Sequence, residues 1–148
     1  MQALTRSTVQ LVPVTIENLY KLNRFYKRNG HRGKATTSHQ AWWLEHNNEI
    51  VAALRLEPYP WGLLLRGMWV ANERRGQGLG SQLLCALQPQ LSKAACYCLP
   101  YTTQLDFYYR NGFIDAHDNA PAALKQQHTH YLTRGESLGL LRHQPPCD

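Results

Sequence analysis

Apolar and polar positions along the chain follow strand and helix periods in turn, with short connections between them. Residues 9–14, VQLVPV, are predicted as a strand, in which Pro13 is tolerated only near an edge or an end of a sheet. Thr15 is a candidate cap for a helix that runs to about Arg28, because apolar residues recur there at helical spacing. The expected apolar stripe of this helix comprises Ile16, Leu19, Leu22 and Tyr26.

Three strand-like runs follow between residues 41 and 70, with turn sequences between them. The runs are AWWLEH, IVAALRLE and GLLLRGMWV; Asn47-Asn48 separates the first two, and PYPWG separates the last two. Connections this short join antiparallel neighbours. The three runs therefore predict an antiparallel meander.

The second half of the chain alternates helix and strand patterns. Leucines at helical spacing predict a helix over residues 79–91 that ends or kinks near Pro89, and residues 94–99 alternate as a strand. A strand before a helix and another after it predict a parallel crossover. We expect four further elements and a tail: a short helix stopped by Gly112, a strand in FIDAH, a helix between Pro121 and Gly135, a strand in SLGLLRH, and a frayed end over residues 144–148.

Length and composition favour one folded domain. The chain has 148 residues, of which 43% are hydrophobic and 18% charged, and this balance is not typical of disordered or fibrous proteins. No apolar run approaches the roughly 18 residues of a membrane span, and the first residues lack the apolar core of a signal peptide. We expect a single domain over residues 1–148 in the cytoplasm.

The cysteines and histidines do not indicate a metal site. The four cysteines lack CxxC spacing, so reduced thiols are the simplest interpretation. His128 and His130 are two residues apart and therefore diverge on a helix, which favours surface positions. Cys96 and Cys98 share a strand face, but no His is placed by spacing to activate them, so buried packing residues are favoured over an acyl-cysteine.

Basic residues are concentrated near the first predicted helix. The formal net charge is +6, and KLNRFYKRNGHRGK contains six of the sixteen Lys and Arg residues: Lys21, Arg24, Lys27, Arg28, Arg32 and Lys34. One interpretation is a solvated helix face and loop. The other is a positive rim that attracts a phosphorylated cofactor, an acidic acceptor or a nucleic acid. Composition alone does not choose between them.

Three glycines lie where a strand pattern passes into a helix pattern, at Gly76, Gly78 and Gly80. Backbone N–H groups at the start of a helix carry the positive end of its dipole, and glycine lets a phosphate approach them closely. The turn is therefore expected to bind an anion. The GxxxxGK[ST] sequence is absent, and the glycine spacing differs from GxGxxG.

Two motifs together identify a family. Residues 75–80, RGQGLG, match the pattern R/Q-x-x-G-x-G/A, and residues 108–113, YYRNGF, match Y-x-x-x-G-F. On these motifs the chain resembles the GNAT superfamily of acyl-CoA-dependent N-acyltransferases over residues 40–116. The resemblance implies an α/β fold whose central sheet is mixed, mostly antiparallel and flanked by helices. It also implies that this sheet splays into a V beside the strand that ends at Val70.

The resemblance implies acetyl-CoA as the acyl donor and no metal. The pantetheine arm would pair with the backbone near Val70, and main-chain N–H groups of the glycine turn would hold the pyrophosphate. Arg74 and Arg75 would add positive charge. The implied cofactor-binding residues are Met68, Trp69, Val70, Arg74, Arg75, Gly76, Gln77, Gly78, Leu79, Gly80 and Ser81.

The chemistry implied by the resemblance is direct attack of a neutral amine on the acetyl thioester in a ternary complex. Tyr108 occupies the general-acid position, and the backbone N–H of Val70 or Trp69 is the candidate oxyanion donor. Some family members carry a glutamate on the central strand, but GLLLRGMWV has none. Glu57 and Glu45 are therefore the candidate bases, with a chain of waters as the alternative.

The acceptor stays open at this stage. The resemblance places the first helix and the following loop beside the acceptor, so the basic run favours a small molecule or peptide whose amine accompanies an anionic group. A non-catalytic CoA sensor and a basic nucleic-acid-binding module are the alternatives. Beyond Phe25 and Tyr26, however, no aromatic residue is interleaved with the basic run, and nucleic-acid binding favours such interleaving. No membrane partner is expected, and a homodimer is left open.

Overall fold

The computed structural model describes residues 8–145, and within them the chain forms seven strands and five α-helices. The strands are β1 (Gln10–Pro13), β2 (Gln40–His46), β3 (Glu49–Tyr59), β4 (Gly62–Val70), β5 (Cys96–Cys98), β6 (Phe113–Asp115) and β7 (Leu141–His143). The helices are α1 (Leu19–Arg28), α2 (Leu79–Ala86), α3 (Gln88–Leu91), α4 (Leu105–Arg110) and α5 (Ala122–Thr133).

All seven strands belong to one mixed sheet with the order β1-β2-β3-β4-β5-β7-β6. β1 and β2, β2 and β3, β5 and β7, and β6 and β7 pair antiparallel, whereas β4 and β5 pair in parallel. The parallel pair joins Leu63–Leu65 to Cys96–Cys98, on either side of the α2 connection. These pairings confirm the predicted mixed, mostly antiparallel sheet and the predicted crossover.

The chain divides into two compact units, and β4 contributes to both. The first comprises the chain up to Pro58 together with Arg66–Leu87, and the second comprises Tyr59–Leu65 together with the chain from Gln88. Each has its own apolar core. Leu22, Phe25, Tyr26 and Trp43 are central in the first unit, and Leu64, Tyr97, Leu124 and Leu140 are central in the second. Burying each such side chain stabilises the fold by about 1.5–3 kcal/mol.

The first helix begins later than the sequence predicts. Asn18 Oδ1 accepts a hydrogen bond from the Thr15 N–H at 2.6 Å, and Asn18 Nδ2 donates to the Pro13 carbonyl at 3.2 Å. These bonds hold residues 15–18 in a turn, so α1 starts at Leu19 and Thr15 does not cap it. Ile16, predicted in the apolar stripe, is 78% exposed for the same reason, whereas Leu22 and Tyr26 are buried as predicted.

The other elements follow the prediction closely. Asn47 and Asn48 both have positive φ, as a tight turn between antiparallel strands requires. The predicted helix over residues 79–91 is interrupted at Leu87, one residue before α3, in which Pro89 is the second residue.

The first residue of the predicted frayed tail makes a backbone hydrogen bond. Gln144 N–H donates to the Gly112 carbonyl at 2.8 Å. Residues 146–148, including Cys147, lie outside the described residues. No helix in the described part of the chain is long and apolar enough to traverse a bilayer.

Candidate functional site

The predicted anion turn has the backbone that its glycines suggested. Gly76 and Gly78 have φ of 82° and 78°, in the left-handed region where a side chain is strained. Gly78 is the residue before α2, and its carbonyl accepts the first helical hydrogen bond from Gln82 N at 3.0 Å. The N–H groups of the first helical turn lack intrahelical acceptors, so they are available to an anion.

The end of β4 leads directly into this turn. The pairing of β4 with β5 covers Leu63–Leu65, and Arg66–Val70 extends past that register. Arg75 folds back over the strand end: its Nε donates to the Val70 carbonyl at 3.4 Å, and its guanidinium lies 5.3 Å from the Trp69 ring centre. Trp69, Val70 and Arg75, which were predicted separately as cofactor-binding residues, are therefore neighbours.

Asn29, which the sequence did not single out, fixes the position of this strand end. Its carbonyl accepts the Trp69 Nε1–H at 2.8 Å, and its Oδ1 accepts the Asn72 N–H at 2.8 Å. Its Nδ2 donates to the Phe25 carbonyl at 2.9 Å. Asn29 is buried, and it therefore ties the end of α1 to both β4 and the start of the glycine turn. The Asn29-Gly30 pair at a helix end was the sequence signal for a turn here.

Tyr108 lies in the second unit, on α4. It is 5% exposed, and its ring makes edge contacts with Phe107 and Phe113. Burial raises the pKa of the Tyr108 phenol well above its usual value of 10.0, and the nearby Cys98 thiol raises it further. The phenol is thus protonated at neutral pH, as a general acid must be. Tyr109, by contrast, is exposed and donates to Asp115 Oδ1 at 2.6 Å.

The two cysteines of β5 are buried. Burial raises the pKa of Cys96 to about 12 and the pKa of Cys98 well above 9.0. A nucleophilic cysteine needs a lowered pKa. Burial therefore favours the packing interpretation over an acyl-cysteine.

Glu57 is held by two side chains at the end of β3. Its Oε1 accepts from Arg66 Nε at 2.9 Å, and its Oε2 lies 3.4 Å from His39 Nε2. His39 Nδ1 accepts the Thr36 N–H at 3.1 Å, so the ring proton is on Nε2 and points to Glu57. Burial lowers the pKa of His39, so this imidazole is neutral at neutral pH. Glu45, the other candidate base, accepts the Trp43 Nε1–H at 3.2 Å.

A basic cavity of about 700 Å³ lies beside α1. It is lined by Asn23, Arg24, Lys27, Gly30, His31, Arg32, Gly33 and Lys34, and these eight residues include no acidic side chain. Two anchors hold the segment that forms its wall. Asn29 holds the start, and at the other end the Asn23 side chain both accepts from the Ala35 N–H, at 2.8 Å, and donates to the Ala35 carbonyl, at 3.0 Å. Four of the six clustered cations thus surround one concavity.

Arg55 is a buried cation beside this cavity, and its burial was not anticipated. It is 4% exposed, its Nη1 lies 3.0 Å from His31 Nε2, and its guanidinium lies 5.3 Å from the Tyr26 ring centre. Burial and the Arg55 charge lower the pKa of His31 to about 4. Neutral His31 therefore accepts at Nε2 and carries its proton on Nδ1. A charged residue inside the apolar run IVAALRLE was the signal that sequence reasoning passed over.

The low pKa of His31 makes stability depend on pH. The unfolded chain binds a proton at His31 with a pKa near 6.5, and the folded protein does so only near 4, so the free energy of unfolding falls as pH drops between these values. We expect His31→Asn to lose less stability than the wild type between pH 7 and 4.5, measured by urea unfolding. His130→Asn, which changes an exposed imidazole, is the control. Identical losses in wild type and His31→Asn would contradict this prediction.

His128 corrects the predicted surface position. It is 7% exposed, and its Nε2 lies 2.8 Å from the Leu138 carbonyl, because α5 packs this side chain inward. Among residues 8–145, His, Cys, Asp and Glu side chains form no group of three or more that would hold a metal ion.

Residues 37–115, more than half of the chain, match the family model described as an acetyltransferase (GNAT) domain. No curated protein sequence matches the chain.

Solved structures share the fold at low sequence identity. A putative N-acetyltransferase from Lactobacillus plantarum is 16% identical, with a TM-score of 0.69 over 94% of this chain and 99% of that one. N-acetylglutamate synthase from Neisseria gonorrhoeae, complexed with coenzyme A and L-arginine, is 15% identical, with a TM-score of 0.68 over 93% of this chain. The match spans only 33% of that longer protein. Arabidopsis thaliana Naa50, in complex with the bisubstrate analogue CoA-Ac-MVNAL, is 19% identical, with a TM-score of 0.63 over 93% and 99% of the two chains.

Proposed function

Because the chain belongs to the family of GNAT acetyltransferases, we propose that it transfers an acetyl group from acetyl-CoA to a primary amine of a small molecule or peptide. The observation that carries the proposal is the glycine turn: left-handed Gly76 and Gly78 lead into the start of α2, directly after the end of β4. Two of the similar structures are complexes with coenzyme A or with a CoA-derived analogue. These ligands support the proposal by analogy.

The turn binds the donor through its backbone. Main-chain N–H groups from Arg75 to Ser81 hold the pyrophosphate, and Gly78 and Gly80 keep the approach free of side chains. The pantetheine arm runs along Met68–Val70, where the Val70 N–H donates to the developing oxyanion. Arg74 and Arg75 add charge, and the fold-back of Arg75 over Trp69 supports its place beside the donor.

The amine attacks the thioester carbonyl directly. The C–N bond forms as a tetrahedral intermediate, the C–S bond then breaks, and the departing thiolate takes the phenolic proton of Tyr108. The amine must attack in its neutral form and lose a proton as the amide forms. The high pKa of the Cys96 and Cys98 thiols supports this single transfer without an acyl-enzyme.

For the base we propose Glu57, acting through a water. Its carboxylate is oriented by Arg66 and His39. We expect Glu57→Gln to reduce kcat/KM at pH 7 at least tenfold, since general bases contribute about 10²–10⁴-fold. The same assay on Glu45→Gln is the comparison, and circular dichroism checks that both variants are folded. Full activity of a folded Glu57→Gln variant would leave proton removal to water alone.

The test of the proposed function is thermal unfolding with saturating acetyl-CoA, followed by thiol release with a panel of amines. A ligand at about a hundred times its Kd stabilises by roughly 2.7 kcal/mol, which raises the midpoint of a domain of this size by about 5–10 °C. A shift together with thiol release supports an enzyme, and a shift without thiol release from any amine would support a CoA sensor. Absence of a shift with acetyl-CoA and with free coenzyme A would overturn the proposal.

A further inference from the structure

We propose that the acceptor amine belongs to a small molecule carrying a carboxylate or phosphate, and that this anionic group is bound in the basic cavity with Arg55 as its inner cation. This inference rests on the proposed acetyltransferase function, which it extends to the substrate class.

The charge of the cavity favours an anion of small size. Arg24, Lys27, Arg32 and Lys34 line it, and no acidic residue is among its eight lining residues. A cavity of about 700 Å³ lies within the 300–1,000 Å³ that is typical of small-molecule sites. Like charges around a concave surface repel one another, and a bound anion relieves this repulsion.

The buried side chain of Arg55 supports the proposal independently of the exposed cations. Arg55 is only 4% exposed. No ion pair among the described residues includes it, and its Nε is buried without a hydrogen-bond partner. Two glycines make room for its guanidinium. A Cβ at Gly33, which lines the cavity, would lie 2.5 Å from Nη2, and a Cβ at Gly67 would clash with Nη1. A buried cation that forms no ion pair is costly, and an anion in the cavity would reduce that cost.

His31 connects the cavity with the expected reaction centre. Its ring lines the cavity, accepts from Arg55 through Nε2, and lies 4.8 Å from the Trp69 ring centre. Its Nδ1–H is therefore a neutral donor for an anionic oxygen. Trp69 immediately precedes Val70, the proposed oxyanion donor. An anion bound at His31 would therefore be separated from the end of β4 by the Trp69 ring. A small molecule bound there would present its amine close to the donor thioester.

The segment that forms the cavity also lies outside the matched family region. The family model begins at residue 37, whereas the cavity residues span 23–34.

The experiment uses amines in matched pairs that differ in one anionic group. Alanine is compared with alaninamide, and O-phosphoethanolamine with ethanolamine, by thiol release at saturating acetyl-CoA. The pairs distinguish a carboxylate from a phosphate. We expect at least one anionic amine to have a kcat/KM at least tenfold above that of its neutral partner.

Variants then locate the selectivity. Lys27→Gln combined with Arg32→Gln changes exposed side chains, and Arg55→Gln changes the buried one. Both are expected to lower the anionic-to-neutral ratio at least fivefold while leaving the acetyl-CoA thermal shift unchanged. Arg142→Gln is the matched control, because Arg142 also lies over an aromatic ring, Tyr97 at 5.9 Å, but belongs to the second unit.

Calorimetry with O-phosphoethanolamine and alanine, in the presence of coenzyme A, gives a readout independent of turnover. Binding by the wild type that weakens at least fivefold in the double variant supports the inference. If the protein acetylates neutral amines equally well, or binds coenzyme A but neither anionic probe, the inference is overturned while the acetyltransferase function stands. Absence of a thermal shift of the wild-type protein with acetyl-CoA and with free coenzyme A would instead overturn the proposed function.

Discussion

Replacing Gly78 by glutamate abolishes the binding of acetyl-CoA and leaves the protein folded. Gly78 has a φ of 78° immediately before α2, and a Cβ placed there meets no protein atom within 4 Å. The substitution therefore costs only the backbone strain of a left-handed residue, about 1–2 kcal/mol. The glutamate side chain, however, projects a negative charge into the space where a pyrophosphate would contact the helix N–H groups. Isothermal calorimetry with coenzyme A measures the loss.

A second glycine provides the control. Gly135 has a φ of 88°, and a Cβ there also meets no atom within 4 Å, but it lies just after α5 and outside the turn. Gly135→Glu carries the same strain and the same added charge. We expect it to bind coenzyme A like the wild type and to unfold at a temperature close to that of Gly78→Glu. Near-normal affinity of Gly78→Glu would mean that the turn does not hold the phosphates.

Replacing Tyr108 by phenylalanine lowers kcat by about 10²–10⁴-fold, the usual contribution of a general acid. The ring contacts with Phe107 and Phe113 do not depend on the hydroxyl, so the core of the second unit is retained. The KM for acetyl-CoA is expected to change less than threefold, because the hydroxyl acts on the departing thiolate. Steady-state thiol release measures both constants.

Tyr109→Phe is the matched control for Tyr108. Tyr109 is the adjacent residue, but it is exposed and its hydroxyl donates to Asp115, so removing that hydroxyl should leave kcat unchanged.

The pH profile adds a further test of Tyr108. A general acid fails when it deprotonates, and the pKa of Tyr108 lies well above 10.0, so its ionisation removes no activity between pH 7 and 10. Full turnover by Tyr108→Phe would exclude the phenol as the proton donor.

Elements determined by local patterns could be predicted from the sequence. Short apolar runs bounded by turn sequences predicted the strands β2 to β4, and Asn47-Asn48 predicted their first turn because asparagine tolerates positive φ. The glycine motif placed the start of α2. The start of α1 was predicted wrongly because Asn18, through side-chain bonds to the backbone, competes with the helix, and spacing alone does not show which polar residue does so.

The long-range polar contacts of the site could not be predicted. Arg55 and His31 are 24 residues apart, and Asn29 and Asn72 are 43 apart. Their contacts depend on how β3, β4 and the segment after α1 pack, which the local pattern does not encode. The run of cations was visible in the sequence, but its arrangement around a cavity needed the packing of α1.

The two asparagine anchors have a consequence for how this protein would diversify. Asn29 and the Asn23–Ala35 pair hold the ends of residues 30–34, so the backbone outside these points is fixed whatever lies between them. The length and the side chains of this segment can therefore change while the strand end at Trp69 and the turn at Asn72 keep their positions. Selection for a new acceptor would then act on residues 30–34, which form one wall of the cavity, without disturbing the donor side.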